Sequence, residues 1–441
     1  MMNCIMILDK LSLKNFKSHK DREITFGKIT VLIGQNNAGK SSVLQSLIML
    51  SQSVKMGANK LRPDNEMINL GNYDDVVSLG DVESNISIGI DFREVIQMGV
   101  NYDEILEPES AKCFFSVIST KRSLSKVYLG VDSRHTQIDA TWKPNGFQGR
   151  LTRPFENSSY NLELTQMQGL IPQMQIEPST DKKVVSQNYI QTFGRDFGSE
   201  FLKKIFESFY YVPFQRTIGT YGVPLTNQSE IKDLVQRDPN KTSSALLSTL
   251  AKAHSLRKSV ARLFAEIYAT GMEHHNLDSD FQNNEERNVQ RVSLLFEKGD
   301  FASSITNVGG GINQLILLFT ILTGTPKKSV ICIEEPEVHL HPEKQTDLMR
   351  RILKIALDDE KQIILTTHSE YILYPLLAAV SKGELKSSDL VIHYFTLDEK
   401  SNLSNVETLD VNEHGQIMGG LKGFWDATTS AMKDFVREEN V

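Results

Sequence analysis

The stretch Gly34-Gln35-Asn36-Asn37-Ala38-Gly39-Lys40-Ser41 constrains this chain more than any other, because such a loop works only in one setting. Its successive backbone N–H groups can cradle a phosphate when a buried strand feeds it and a helix leaves it. Both neighbours are present. Residues 28–33 read as a buried strand, and 41–51 place Val43, Leu44, Leu47, Ile48 and Leu50 at helical spacing. The loop therefore asks for an α/β fold, with Gly34, Asn36, Asn37, Ala38, Gly39, Lys40, Ser41 and Ser42 as nucleotide-binding candidates. Lys40 would bridge the β- and γ-phosphates of ATP, and Ser41 would give its hydroxyl to Mg2+.

A second acidic centre lies far downstream, where Val330-Ile331-Cys332-Ile333 forms an apolar strand ending in Glu334-Glu335. Ligands of open α/β sheets collect at the carboxyl ends of strands. Glu334 is the metal candidate, and its longer arm compared with Asp favours contact with Mg2+ through water. Glu335 is the candidate that orients and activates the attacking water. A compact kinase or GTPase would bring its acidic strand much sooner, so the separation argues against both.

A third strand, 362–366, ends in Thr367-His368-Ser369, and His368 is the third catalytic candidate beside Lys40 and Glu335. It would hydrogen-bond the γ-phosphate or the water near Glu335. Asn307-Val308-Gly309-Gly310-Gly311 precedes a helical pattern over 312–322 and has two readings. It is a second anion-binding helix start, or a turn, since glycine clusters mark loops. One triphosphate rarely needs two such sites in one chain. A dimer in which Asn307, Gly309, Gly310 and Gly311 of one copy close over the other copy's nucleotide would use both.

The rest of the chain is organised around these motifs. The opening alternates as two antiparallel strands joined through 18–21, and short strands recur over 68–92 and 115–140. Residues 144–199 are polar and weakly patterned, read as a variable insertion. A helix running into a strand is expected over 201–211, a long amphipathic helix over 246–269, a loop over 278–287 and a strand over 289–296. From 303 to 395 helices and buried strands alternate, the signature of a parallel sheet. Aromatics at 209–214 before Arg216 read as core more readily than as a base-stacking surface.

Composition narrows the class without choosing a partner. Hydrophobic residues make up 40% and charged residues 23%, ordinary for a soluble protein of 441 residues, and the net charge of -7 leaves a local basic groove open. Cys4, Cys113 and Cys332 are too scattered for a disulfide framework or a zinc ribbon. The apolar stretch near 315–322 is far short of a bilayer span. A cytoplasmic protein with no membrane partner is the expectation.

Taken in order, Leu13-Lys14-Asn15-Phe16-Lys17-Ser18, the loop at 34–42, Asn307 to Gln314, Cys332 to Pro342 and Thr366 to Ser369 resemble the ABC-type ATPases. In particular they are similar to the overcoming-lysogenization-defect (OLD) ATPases and the RecF and SMC heads, over about 1–95 and 290–395. The resemblance implies an ABC-type P-loop ATPase head, a mixed sheet with an antiparallel N-terminal lobe, and a largely helical insertion is expected between the two matched ends. It implies that Asn15, Phe16 and Lys17 lie beside the nucleotide, that 307–314 acts in trans, and that 337–341 crosses a dimer interface. It also implies a glutamine lining the magnesium site, which the sequence assigns to no position. His339 and His341 alone are weak evidence for a metal pair.

The chain divides, on this reading, into 1–110 and 289–396 as the two parts of the head, 111–288 as the insertion arm, and 397–441 as a short C-terminal extension. No strand-anchored Asp-x-Asp of a Toprim nuclease is visible among Asp398, Glu399 and Asp410, and the ending through Phe424-Trp425-Asp426 looks like that of stand-alone ATPases. The resemblance to PtuA-like defence ATPases implies a homodimer or higher oligomer working with a separately encoded nuclease or effector. A DNA clamp is the alternative, with Lys121, Arg122, Lys126, Arg150 and Arg153 as phosphate contacts.

Overall fold

In the computed structural model, the described residues are 5–65, 67–96, 109–133, 137–153, 158–176, 202–216, 223–224, 231–234, 239–268, 271–277, 291–298, 301–304 and 307–420. The chain opens with antiparallel strands β1 (Ile5–Phe16) and β2 (His19–Thr25). Their turn is Lys17-Ser18, so His19 already belongs to β2. β3 (Ile29–Gly34) is buried throughout and feeds helix α1 (Lys40–Lys55), with the phosphate loop between them. A one-turn helix α2 (Tyr73–Val76) carries a reciprocal cap between Asn72 and Asp75.

Seven strands follow: β4 (Ile86–Ile96), β5 (Glu109–Ser119), β6 (Leu124–Ser133), β7 (Gln137–Lys143), β8 (Gly146–Arg153), β9 (Ser158–Gln168) and β10 (Ile171–Ile176). They add one beside the next to β1, making a nine-stranded antiparallel meander ordered β10-β9-β8-β7-β6-β5-β4-β1-β2. Here the insertion departs from expectation. A largely helical insertion is expected from 111 onward, with short strands over 115–140, but its described residues begin with six strands, β5 to β10. Period decides the matter: Cys113, Phe115 and Val117 are buried, while Phe114, Ser116 and Ile118 between them are only half-buried. The polar run from 144 hides β8 to β10 for the same reason, since its exposed Gln148 and Arg150 alternate with half-buried Phe147 and Gly149. Residues 177–199 of that run, and the loop expected at 278–287, lie outside the described residues.

Helices enter later, as α3 (Leu202–Glu207), which leads into β11 (Phe209–Val212). After β12 (Val223–Pro224) come α4 (Pro239–Lys252) and α5 (His254–Tyr268), where one long helix was expected. The break falls at Ala253. Arg257 turns back there and donates from Nη1 to the carbonyls of Leu250 and Ala251, at 2.8 and 3.0 Å. β13 (Gly271–Leu277), β14 (Arg291–Lys298) and β15 (Phe301–Ser304) complete a small sheet with β12.

The remainder alternates as expected: α6 (Gly310–Gly324), β16 (Val330–Glu334), α7 (Pro342–Asp358), β17 (Gln362–Thr367), α8 (Glu370–Ser381), β18 (Leu390–Asp398) and β19 (Leu403–Leu409). The core sheet is ordered β11-β16-β17-β3-β18-β19, parallel except for the last pair. β19 closes its edge, so the segment after 396 continues the head instead of standing apart from it. Residues 421–441, including Phe424-Trp425-Asp426, lie outside the described residues.

Both faces of the core sheet are covered. Along β16, Val330 and Cys332 join a cluster with α1 and the inner face of the meander, while Ile331 and Ile333 join one with the helices α4 to α8. Each such side chain contributes about 1.5–3 kcal/mol by leaving water. A buried amide ties the sheets together: Leu8 N donates to Gln362 Oε1 at 2.9 Å, and Gln362 Nε2 donates to the carbonyls of Leu8 and Gly27 at 2.8 Å each. No described helix is long and apolar enough to cross a membrane.

Candidate nucleotide site at the carboxyl end of the core sheet

Parallel strands bring their carboxyl ends to one edge, and here that edge collects Gly34 from β3, Glu334 from β16 and Thr367 from β17. The loop after β3 is shaped by glycines with no substitute. Gly34 and Gly39 have φ of 141° and 92°. A Cβ on Gly34 would lie 2.0 Å from the Phe395 carbonyl oxygen, and one on Gly39 would lie 2.3 Å from Ser404 Oγ and 2.6 Å from Ser18 Oγ. The β1–β2 turn and β19 thus press on the loop from behind. His19 completes that support with Nε2 3.0 Å from the Gly39 carbonyl, and burial lowers its pKa to about 4.

Lys40 folds back on its own loop, donating from Nζ to the carbonyls of Gly34 (3.1 Å) and Gln35 (2.6 Å). Burial lowers its pKa to about 8, against the pull of Glu335 and Glu337. Asn36 and Asn37 are exposed, whereas Ala38 and Ser42 are buried, so Ala38 offers only backbone. The Ser41 side chain adjoins the Glu334 carboxylate, which burial pushes above its ordinary pKa. Phe214 N donates to Glu334 Oε2 at 3.3 Å, and Gln45 Nε2 reaches Oε1 at 3.5 Å. Serine hydroxyl and carboxylate are hard oxygen donors. With phosphate oxygens and water they suit Mg2+, which needs only one or two protein carboxylates.

Glu335 stands beside them in a left-handed conformation, φ 41°. Its N–H bonds the Thr366 carbonyl at 3.0 Å, and its Oε1 lies 3.5 Å from His368 Nε2. The imidazole holds the Glu335 carboxyl below its ordinary range. The structure thus brings Lys40, Ser41, Glu334, Glu335 and His368 together from separate parts of the chain.

The N-terminal trio divides. Lys17 Nζ donates to Gln45 Oε1 at 2.6 Å and so adjoins the Glu334 corner through Gln45. Asn15 donates to the Asn85 carbonyl at 3.1 Å. Phe16 is wholly buried in the hydrophobic core, so its side chain cannot reach a nucleotide, contrary to expectation. Gly309, Gly310 and Gly311 open α6 with Asn307 exposed before them; a Cβ on Gly309 would stand in open space, and one on Gly311 would press on His339 and Leu340. They line a cleft of about 390 Å³ with Tyr268, His339, His341 and Lys344. Among the described residues no cluster of three metal-ligating side chains occurs, so His339 and His341 remain a pair.

Sequence reading missed two neighbours, Arg216 and Glu337. Gln215 is exposed at the carboxyl end of β11, and Arg216 beside it is buried, donating to the backbone carbonyls of Glu334 and Glu335 at 2.8 Å each. The available signal was a charged residue closing an apolar strand. Glu337 was the other overlooked group: its Oε1 accepts from Thr367 Oγ1 (2.5 Å) and His368 N (3.0 Å).

The chain is 22% identical over 410 residues to the OLD nuclease of Thermus scotoductus, covering 91% of this chain and 66% of that one. It is 23% identical over 259 residues to the DNA replication and repair protein RecF of Acetivibrio thermocellus, covering 53% and 68%. An SMC head bound to the C-winged helix domain of ScpA aligns over 92% of this chain and 98% of that one, at 13% identity and a TM-score of 0.44. The profile of one family spans both halves of the head and the insertion between them, matching residues 6–373, and by that match the chain belongs to the AAA ATPase domain family.

Proposed function

We propose that this protein binds ATP with Mg2+ and hydrolyses it slowly, and that its ATP-bound dimer restrains or positions a separately encoded nuclease or other effector in antiviral defence. The observation that supports the chemistry is the convergence of Lys40, Ser41, Glu334, Glu335 and His368 on one edge of the core sheet. On this reading Lys40 exchanges its bonds to the Gly34 and Gln35 carbonyls for phosphate oxygens, while loop N–H groups from Asn36 to Ser41 hold the β-phosphate. Ser41 and, through water, Glu334 would hold Mg2+, which would supply charge neutralisation for the transferred phosphoryl group. Glu335 accepts the proton of the attacking water, and His368 fixes the direction of that carboxylate. Asn15 and Lys17 flank the site, and Gln45 or Gln215 supplies the glutamine beside the metal. The exposed glycines that open α6, Gly309 and Gly310, suit closure over a partner's nucleotide.

A DNA clamp is the second reading, favoured by the likeness to a protein named for DNA replication and repair. The charge pattern of the meander counts against it. Lys10 pairs with Glu23 and Asp91, Lys14 with Asp21, and Lys121 with Asp74, so several cations there already have carboxylate partners.

Two substitutions test the chemistry. Lys40→Ala should weaken ATP binding, because phosphate loses its cation. Glu335→Gln should keep binding, lower turnover by about 10²–10⁴-fold, and accumulate an ATP-bound dimer on size exclusion. Equal loss of binding in both variants would refute the assigned roles. Salt-sensitive binding of duplex DNA by the wild type would favour the clamp.

A further inference from the structure

We propose that Arg216 is the positioning residue of Glu335, clamping the backbone turn that aims this carboxylate. The inference rests on the reading of Glu335 as the water-activating group. A glutamate with φ 41° occupies a conformation that L side chains rarely adopt, and it persists only where neighbours over-determine it. Two sets of bonds do so. From the β17 side, Glu335 N bonds the Thr366 carbonyl and Thr366 Oγ1, at 3.0 and 3.2 Å. From the β11 side, Arg216 spends its guanidinium on main chain: Nη1 donates to Glu334 O and Nη2 to Glu335 O, while Nη1 also reaches Pro213 O at 2.9 Å.

That arrangement is unusual for an arginine within reach of three glutamates. Arg216 is only 2% exposed, and among the described residues its hydrogen bonds go to carbonyl oxygens, none to a carboxylate. It therefore leaves Glu334 and Glu335 free to act while fixing the peptide that carries both. Its Nε and the Oε2 of Glu337 are both buried without a protein partner. Glu337 in turn holds Thr367 and the His368 amide. The acid, the histidine and their common turn thus rest on two buried side chains that never touch the reacting atoms. Arg216 lies four residues beyond β11, a core-sheet strand within 111–288, so it is also a point where that region meets the catalytic turn.

The test uses Arg216→Lys in the full chain, which keeps the charge but cannot reach both carbonyls in a fork. Turnover should fall at least about tenfold with ATP affinity unchanged, since a small misplacement of a catalytic group is enough. In nucleotide-free protein, amide exchange of 334–338 should quicken while that of 34–46 does not. The double variant with Glu335→Gln should be no slower than Glu335→Gln alone, because both changes act on one group. Unchanged exchange over 334–338, or an additive loss of turnover, would overturn the clamp. Arg216→Gln tests the same expectations, so the clamp can still be refuted if one variant folds poorly. If the wild type turns over no ATP, the functional reading fails, while the exchange measurement still judges the clamp.

Discussion

β16 and β5 are both strands with a buried side, yet their sequences are written by different rules. All five residues of β16 are buried, because helices cover one face of the core sheet and α1 with the meander covers the other. β5 buries every second residue, with Cys113, Phe115 and Val117 inward and the positions between them facing outward. A strand buried on both faces has only its ends available for chemistry, and parallel pairing gathers those ends together. A meander strand has a whole outward face but no shared end. That difference explains why the candidate catalytic groups sit on the core sheet although the meander holds more strands.

Cavity variants in the two sheets should break this comparison if it is wrong. Phe115 is wholly buried on β5 and meets Phe206 edge-on at 5.9 Å. Phe115→Ala should cost about 3–5 kcal/mol in urea unfolding and leave ATP affinity of the folded protein unchanged. Ile333→Ala should cost about 2–5 kcal/mol and also weaken ATP binding, because Ile333 seats the turn into Glu334. Equal effects on ATP binding would mean that the two sheets do not divide their labour.

The same contrast explains what could be read in the sequence. β3, β16, β17 and β18 announce themselves as solid apolar runs, and the groups at three of their ends follow from elementary α/β rules. β8 to β10 were hidden because a one-sided strand shows itself only by alternation, and glycine and polar residues weaken that signal. The strands expected over 115–140 followed from alternation, whereas the expectation of a largely helical insertion passed over β8 to β10. Arg216 and Glu337 were illegible for another reason. Their partners are main-chain atoms far away in sequence, which no local pattern encodes.

His19 sharpens the comparison at the seam, since it lies on β2 of the meander but braces the loop of the core sheet. Its imidazole is buried and neutral, with a pKa of about 4 against an ordinary 6.5. The unfolded chain takes up a proton near pH 6.5 and the folded chain only near 4, so the unfolded state binds more protons between those values. Stability should therefore fall with falling pH across that window, by up to about 3 kcal/mol from this group. His19→Gln should flatten that part of the profile in denaturant titrations at pH 7 and pH 5. An identical slope in the variant would show that His19 does not link the two sheets through a buried neutral ring.

The smallest effect is expected on the outward face of the meander. Lys14 and Asp21 pair at 3.0 Å across β1 and β2, with both side chains more than half exposed. An exposed pair gains little Coulomb energy in water and must hold two flexible side chains in one geometry, so its worth is about 0–1 kcal/mol and is screened by salt. Lys14→Ala should shift the urea midpoint barely at all, and not at all in about 1 M salt. A salt-insensitive loss well above about 1 kcal/mol would mean that this face is covered in solution. The meander would then be buried on both sides like β16, and the contrast between the sheets would disappear.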